Sequence, residues 1–93
     1  MNKKKLNIAR KKIDQIDKKI FHLIKRGTYV VKYMLSLKEF KKEIIDHKRI
    51  NDILKKIRNK SIKNHMDPKI THRIWKAIIW SYVAFQQRNF NKK

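Results

Sequence analysis

The fold turns on the stretch from Ile13 to Lys38, IDQIDKKIFHLIKRGTYVVKYMLSLK. Its apolar residues fall at Ile13, Ile16, Ile20, Leu23/Ile24, Val30/Val31, Met34 and Leu37, mostly in steps of three and four. That spacing lays a stripe along one side of an α-helix, whereas a strand would alternate in twos. The stripe keeps its phase across Gly27 into Val30, Met34 and Leu37, which predicts one helix from about Lys5 to Lys38. A rival reading ends the helix at Gly27. Arg26 in a last turn before glycine is a stop signal, and Thr28 to Val31 favours extended backbone. An uninterrupted helix of this length spans on the order of 50 Å at ~1.5 Å per residue. A compact domain of this size has a radius of gyration of only about 13 Å. One chain cannot cover such a stripe from within, so a second copy is expected along it.

Outward from this helix, turn signals are sparse: one glycine and one proline in 93 residues argue for long helices. A second helix is predicted from Asp46, acting as N-cap, to about Lys63, with the stripe Ile50, Ile53, Leu54 and Ile57. A third opens at Asp67 as N-cap with Pro68 in the first helical position. Its stripe runs through Ile70, Ile74, Ala77/Ile78, Ser81/Tyr82 and Phe85 to about Phe90, and Asn91-Lys92-Lys93 is expected to fray. The expected fold is all-α, three helices with a long first one, forming a single domain over residues 1–93.

Composition excludes several classes of chemistry. There is no cysteine, hence no disulfide or thiolate metal site, and His22, His47, His65 and His72 lack metal-ligand spacing. No metal is expected. No apolar run approaches the roughly 20 residues of a membrane span. The basic start, Met1 to Lys5, is followed by no signal-peptide apolar stretch, so a cytoplasmic location without membrane attachment is expected. The net charge of +20 would attract nucleic acid without any specific site. Lys11-Lys12, Lys18-Lys19, Lys41-Lys42 and Lys55-Lys56 recur on what would be solvent faces. Lysine, isoleucine and asparagine share AT-rich codons, so biased coding offers an explanation of the charge that needs no function. No specific nucleic-acid partner is expected. A non-catalytic basic protein that binds nucleic acid is the alternative from another functional class.

Function should show as polar groups on faces that otherwise meet the core. Lys38 continues the first stripe one turn beyond Met34, eleven residues after Gly27. Gln86 follows Tyr82 by one turn on the inward edge of the third helix, Arg49 opens the second beside Ile50 and Ile53, and Arg10 precedes Ile13 by three. Singly each has a bland explanation: a lysine near a helix end snorkels to water, and a glutamine among aromatics is a satisfied amide. Together they would make a cationic crevice for a carboxylate-bearing ligand. Arginine grips carboxylates in a bidentate fork, and lysine and glutamine donate to an ether oxygen or developing oxyanion. No Ser/His/Asp arrangement, glycine-rich phosphate loop or paired carboxylates compete with this reading.

The segment Ala9-Arg10-Lys11-Lys12-Ile13-Asp14-Gln15-Ile16-Asp17, then Lys38, then Asp46 through Leu54, then Asp67-Pro68 and Ile78 through Gln86 occur in a telling order and spacing. In these elements the chain resembles the all-helical chorismate mutase family, including its isochorismate-pyruvate lyase branch, over roughly Leu6 to Phe90. The resemblance implies an intertwined homodimeric helical bundle with two equivalent active sites and no cofactor. The ligand it implies is a small-molecule dicarboxylate, chorismate or isochorismate. By analogy Arg10 crosses into the partner's site to bind a carboxylate. Lys38 and Gln86 are the catalytic donors to the ether oxygen, and Arg49 contributes ring-side binding or local charge. Asp46, Ile50, Tyr82 and Gly27 complete the substrate-binding set. The implied reaction is the rearrangement of chorismate to prephenate, driven by holding a compact conformer and stabilising charge on that oxygen.

Two positions depart from the family pattern. Gly27 stands where a mid-helix arginine normally grips a carboxylate, and Arg26 points about 100° away around the helix. Ile50 stands where many mutases carry glutamate, and Tyr82 where a small hydroxyl residue is common. Both of the latter look more like the lyase branch, which releases pyruvate from isochorismate and leaves salicylate.

Overall fold

The computed structural model of the chain describes residues 1–91, so the fraying expected of Lys92 and Lys93 lies outside the described residues. Among them are three α-helices and no strand: α1 at Lys3–Leu37, α2 at His47–Lys63 and α3 at Pro68–Asn89. A short 3-10 turn, Lys41–Glu43, lies between α1 and α2. The chain divides into two units, Met1–Val31 and the part from Lys32 onward. No helix among the described residues is long and apolar enough to cross a membrane.

The first unit is the greater part of α1. The helix runs through Gly27 without a left-handed residue, so the stop that Arg26-Gly27 offered is not used. Thr28 lies within the helix, its hydroxyl donating back to the Ile24 carbonyl at 2.8 Å. Ile13, Ile16, Ile20, Leu23 and Ile24, the predicted stripe, are all exposed in the single chain. The helix begins two residues earlier than predicted, where Asn2 accepts the Lys5 N–H at 3.0 Å.

The second unit holds the buried residues. Lys38, predicted inside the first helix, lies one residue past its end, with its N–H on the Leu35 carbonyl at 3.1 Å. The chain then turns because one carboxylate oxygen of Glu43 accepts the N–H groups of Glu39 (2.8 Å) and Phe40 (2.9 Å). Those two donors, Phe40 the stronger, hold the Glu43 carboxyl below its ordinary range, with Lys42 and Lys38 adding to the effect. A carboxylate lowered on folding stabilises the turn above the normal glutamate range. That contribution disappears as pH falls through the lowered value.

The caps are where the sequence places them. Asp46 accepts the Arg49 N–H at 3.0 Å, and Asp67 accepts that of Lys69 at 2.9 Å ahead of Pro68. Both aspartates are therefore cap residues just outside the helices rather than their first members. The α2 end closes by two crossed bonds, His65 N–H to Ile62 O and Met66 N–H to Ser61 O, with His65 at a φ of 57°. Glycine would normally take that left-handed position; histidine is among the residues that tolerate it.

Packing of α2 on α3 bears out the second half of the predicted face of the third helix, where Ile78, Tyr82 and Phe85 are half-buried, and corrects the first half. Ile70 and Ile74 are exposed in the single chain, and the buried positions are Thr71, Val83 and Gln86. The cause is a polar contact that hydropathy cannot register. Ser61 and Thr71 bury their hydroxyls against each other at 2.7 Å, while Ser61 also donates to the Ile57 carbonyl at 2.7 Å. With Ile44, Ile50 and Val83 they make up most of the buried set. Ser61→Ala and Thr71→Val are each expected to lower stability by about 1 kcal/mol, because the surviving hydroxyl keeps a backbone partner nearby. In urea unfolding the double variant should lose less than the two single losses added together.

Candidate functional site

Lys38 and Gln86 are 48 residues apart and meet. Lys38 is placed by the end of α1 and the Glu43-bound turn that follows it; it is half-buried. Gln86 lies one turn from the end of α3 on its buried side, only 7% exposed. The Lys38 ammonium donates to Gln86 Oε1 at 2.7 Å, and Gln86 Nε2 donates to the Tyr82 carbonyl one turn back at 3.2 Å. Both ends of the amide are thereby engaged, as a buried amide requires. The contact to a charged donor is of the stronger kind. Because Gln86 is neutral, the pairing sets a cation beside it without cancelling its charge.

The other predicted site residues lie at the start of α2, in the first unit and, as Tyr82, on α3 beside Gln86. At the start of α2, Asp46 is exposed and spends one carboxylate oxygen on the cap, Arg49 is exposed in the first turn, and Ile50 is buried. In the first unit, Arg10 is exposed and Gly27 half-buried, both on α1. Tyr82 is half-buried, and its carbonyl rather than its ring is what bonds to Gln86.

Glu43 was not singled out from the sequence, yet its carboxylate shapes the turn after Lys38. The available signal was its place three residues after Phe40, the spacing at which a glutamate reaches back to free N–H groups. No group of three or more His, Cys, Asp or Glu able to hold a metal occurs among the described residues. Chemically, an ammonium and a primary amide held side by side are donors that can stabilise an oxygen that gains negative charge.

No curated protein and no solved structure gives a significant match to this chain. Residues 9–87, a span that takes in the Lys38–Gln86 contact and both aspartate caps, match the chorismate mutase type II family, and the chain belongs to that family.

Proposed function

We propose that the protein rearranges chorismate to prephenate. The observation that carries this reading is the 2.7 Å contact between Lys38 and Gln86 inside the family-matched span. In the rearrangement the ether carbon–oxygen bond breaks as a carbon–carbon bond forms, and negative charge builds on the ether oxygen. Lys38 and Gln86 donate to that oxygen in the transition state. An amide nitrogen carries two hydrogens and the Tyr82 carbonyl takes one, so Gln86 has a second to offer. Arg10 meets one of the ligand's carboxylates, and Arg49 contributes ring-side binding or local charge. The reaction is internal to the substrate and calls for neither a redox partner nor a group carrier.

The active form in this proposal is a homodimer. Among the described residues only Ile44, Ile50 and Val83 are buried apolar residues, while nearly all of the α1 stripe and Ile70 and Ile74 of α3 are exposed. A second copy laid along α1 would cover them and bring Arg10 into the partner's site. The test couples two measurements on the purified chain. Sedimentation should give twice the 11.4 kDa chain mass, and chorismate should be consumed with formation of prephenate. A monomer at micromolar concentration would overturn the shared site, and an unchanged chorismate absorbance would overturn the reaction.

A second reading is isochorismate-pyruvate lyase activity. It is favoured by Ile50, which is buried and puts no carboxylate beside the first turn of α2. Salicylate and pyruvate released from isochorismate, with no prephenate from chorismate, would decide for it.

A further inference from the structure

Away from Lys38 and Gln86, the α2–α3 corner carries a groove with cationic walls. Between His47 and Asn91 there are eleven lysines and arginines, and the only carboxylate side chains are Asp52 and Asp67. A groove of about 670 Å³ lies between the second half of α2 and the first turns of α3. Lys55 and Arg58 line it from α2, Lys69 and His72 from α3, with Leu54 and Pro68 also in its wall. Asp67 shares the wall, but one of its oxygens is held by the Lys69 N–H at 2.9 Å as the helix cap. Beyond the groove, Arg73 and Lys76 follow Lys69 at four and seven residues, on the same side of α3, and both are exposed.

These side chains narrow the choice of occupant. Lys55, Arg58, Asp67, Lys69 and His72 of the wall are all exposed, so no buried polar group fixes the orientation of a small molecule. A row of solvated cations instead suits a partner with closely repeated negative charge. The site is also concave. A rod-like polyanion can lie in it, whereas a bilayer, flat on this scale, would meet only its rims. We propose that this groove docks the phosphate backbone of a nucleic acid without reading its sequence, as a second activity independent of the chorismate site. Lysine supplies point charges to the phosphates, and Arg58 a two-pronged contact.

The test uses fluorescence anisotropy of a short labelled DNA oligonucleotide with the whole chain across a salt series. One variant carries Lys55→Ala, Arg58→Ala and Lys69→Ala; a control carries Lys11→Ala, Lys18→Ala and Lys25→Ala on the polar side of α1. Both remove the same charge from exposed positions, and circular dichroism checks that both stay helical. The groove variant should bind roughly tenfold or more weakly at moderate salt, with the log–log salt slope shallower by about 2 to 3. The α1 control should lose far less and keep most of its slope. Equal losses in the two variants would overturn the groove and leave diffuse attraction to the net charge. Absence of binding at physiological salt would overturn it as well, as would binding to anionic vesicles but not to the oligonucleotide.

Discussion

Replacing Gln86 by alanine is expected to lower kcat for chorismate by roughly a hundred- to a thousandfold, the usual consequence of deleting one donor to a developing oxyanion. KM should change little. The ether oxygen carries its charge only in the transition state, so the lost interaction is absent from the bound substrate. Lys38→Ala should be at least as damaging, because it removes the charged member of the pair and leaves Gln86 Oε1 buried without its 2.7 Å donor. The two losses will not add, since each residue orients the other. Gln86→Ala also opens space at a position 7% exposed, so its helical content and assembly must be measured beside its activity. A correctly assembled Gln86→Ala variant with full turnover would remove the amide from the mechanism.

Gly27→Arg is expected to raise kcat/KM. A charged hydrogen bond contributes about 1.5–3 kcal/mol, which corresponds to a gain of roughly ten- to a hundredfold. The backbone is ready for it: α1 passes through Gly27 in helical geometry with no positive φ, so an arginine needs no rearrangement of the chain. The same change should raise the melting temperature, because a helix-interior glycine is about 1 kcal/mol worse than alanine and arginine is close to alanine. Gly27→Ala separates the two effects. It should match the arginine variant in stability while leaving kcat/KM at the starting value. If Gly27→Ala raised kcat/KM as much as Gly27→Arg, the gain would come from helix rigidity and not from a carboxylate contact.

What the sequence disclosed was what is local. Asp46 and Asp67-Pro68 announce helix starts because a cap needs only a short side chain and an N–H two or three residues on. The passage of α1 through Gly27 was visible because the stripe holds its phase on both sides of it. Lys38 and Gln86 stood out as polar residues on apolar faces, but the bond between them depends on a turn that hydropathy does not encode. That turn rests on Glu43, whose oxygen gathers two backbone N–H groups. The first turns of the buried face of α3 escaped for the opposite reason. Thr71 is polar, so at the start of α3 a search for apolar residues selects Ile70 and Ile74, and only the partner Ser61 reverses the choice. Arg10 and Arg49 are exposed in the single chain, and the role proposed for Arg10 calls on a second copy.

The scarcity of buried apolar side chains, three in all among the described residues, bears on how the protein lives in a cell. In the proposed homodimer the stripes are covered by a second copy, so the chain would gain stability from association and folding and assembly would become one event. Its melting temperature should then climb with concentration. Abundance would set the working fraction: newly made chains at low copy number would spend longer open to proteases and chaperones than those in a filled pool.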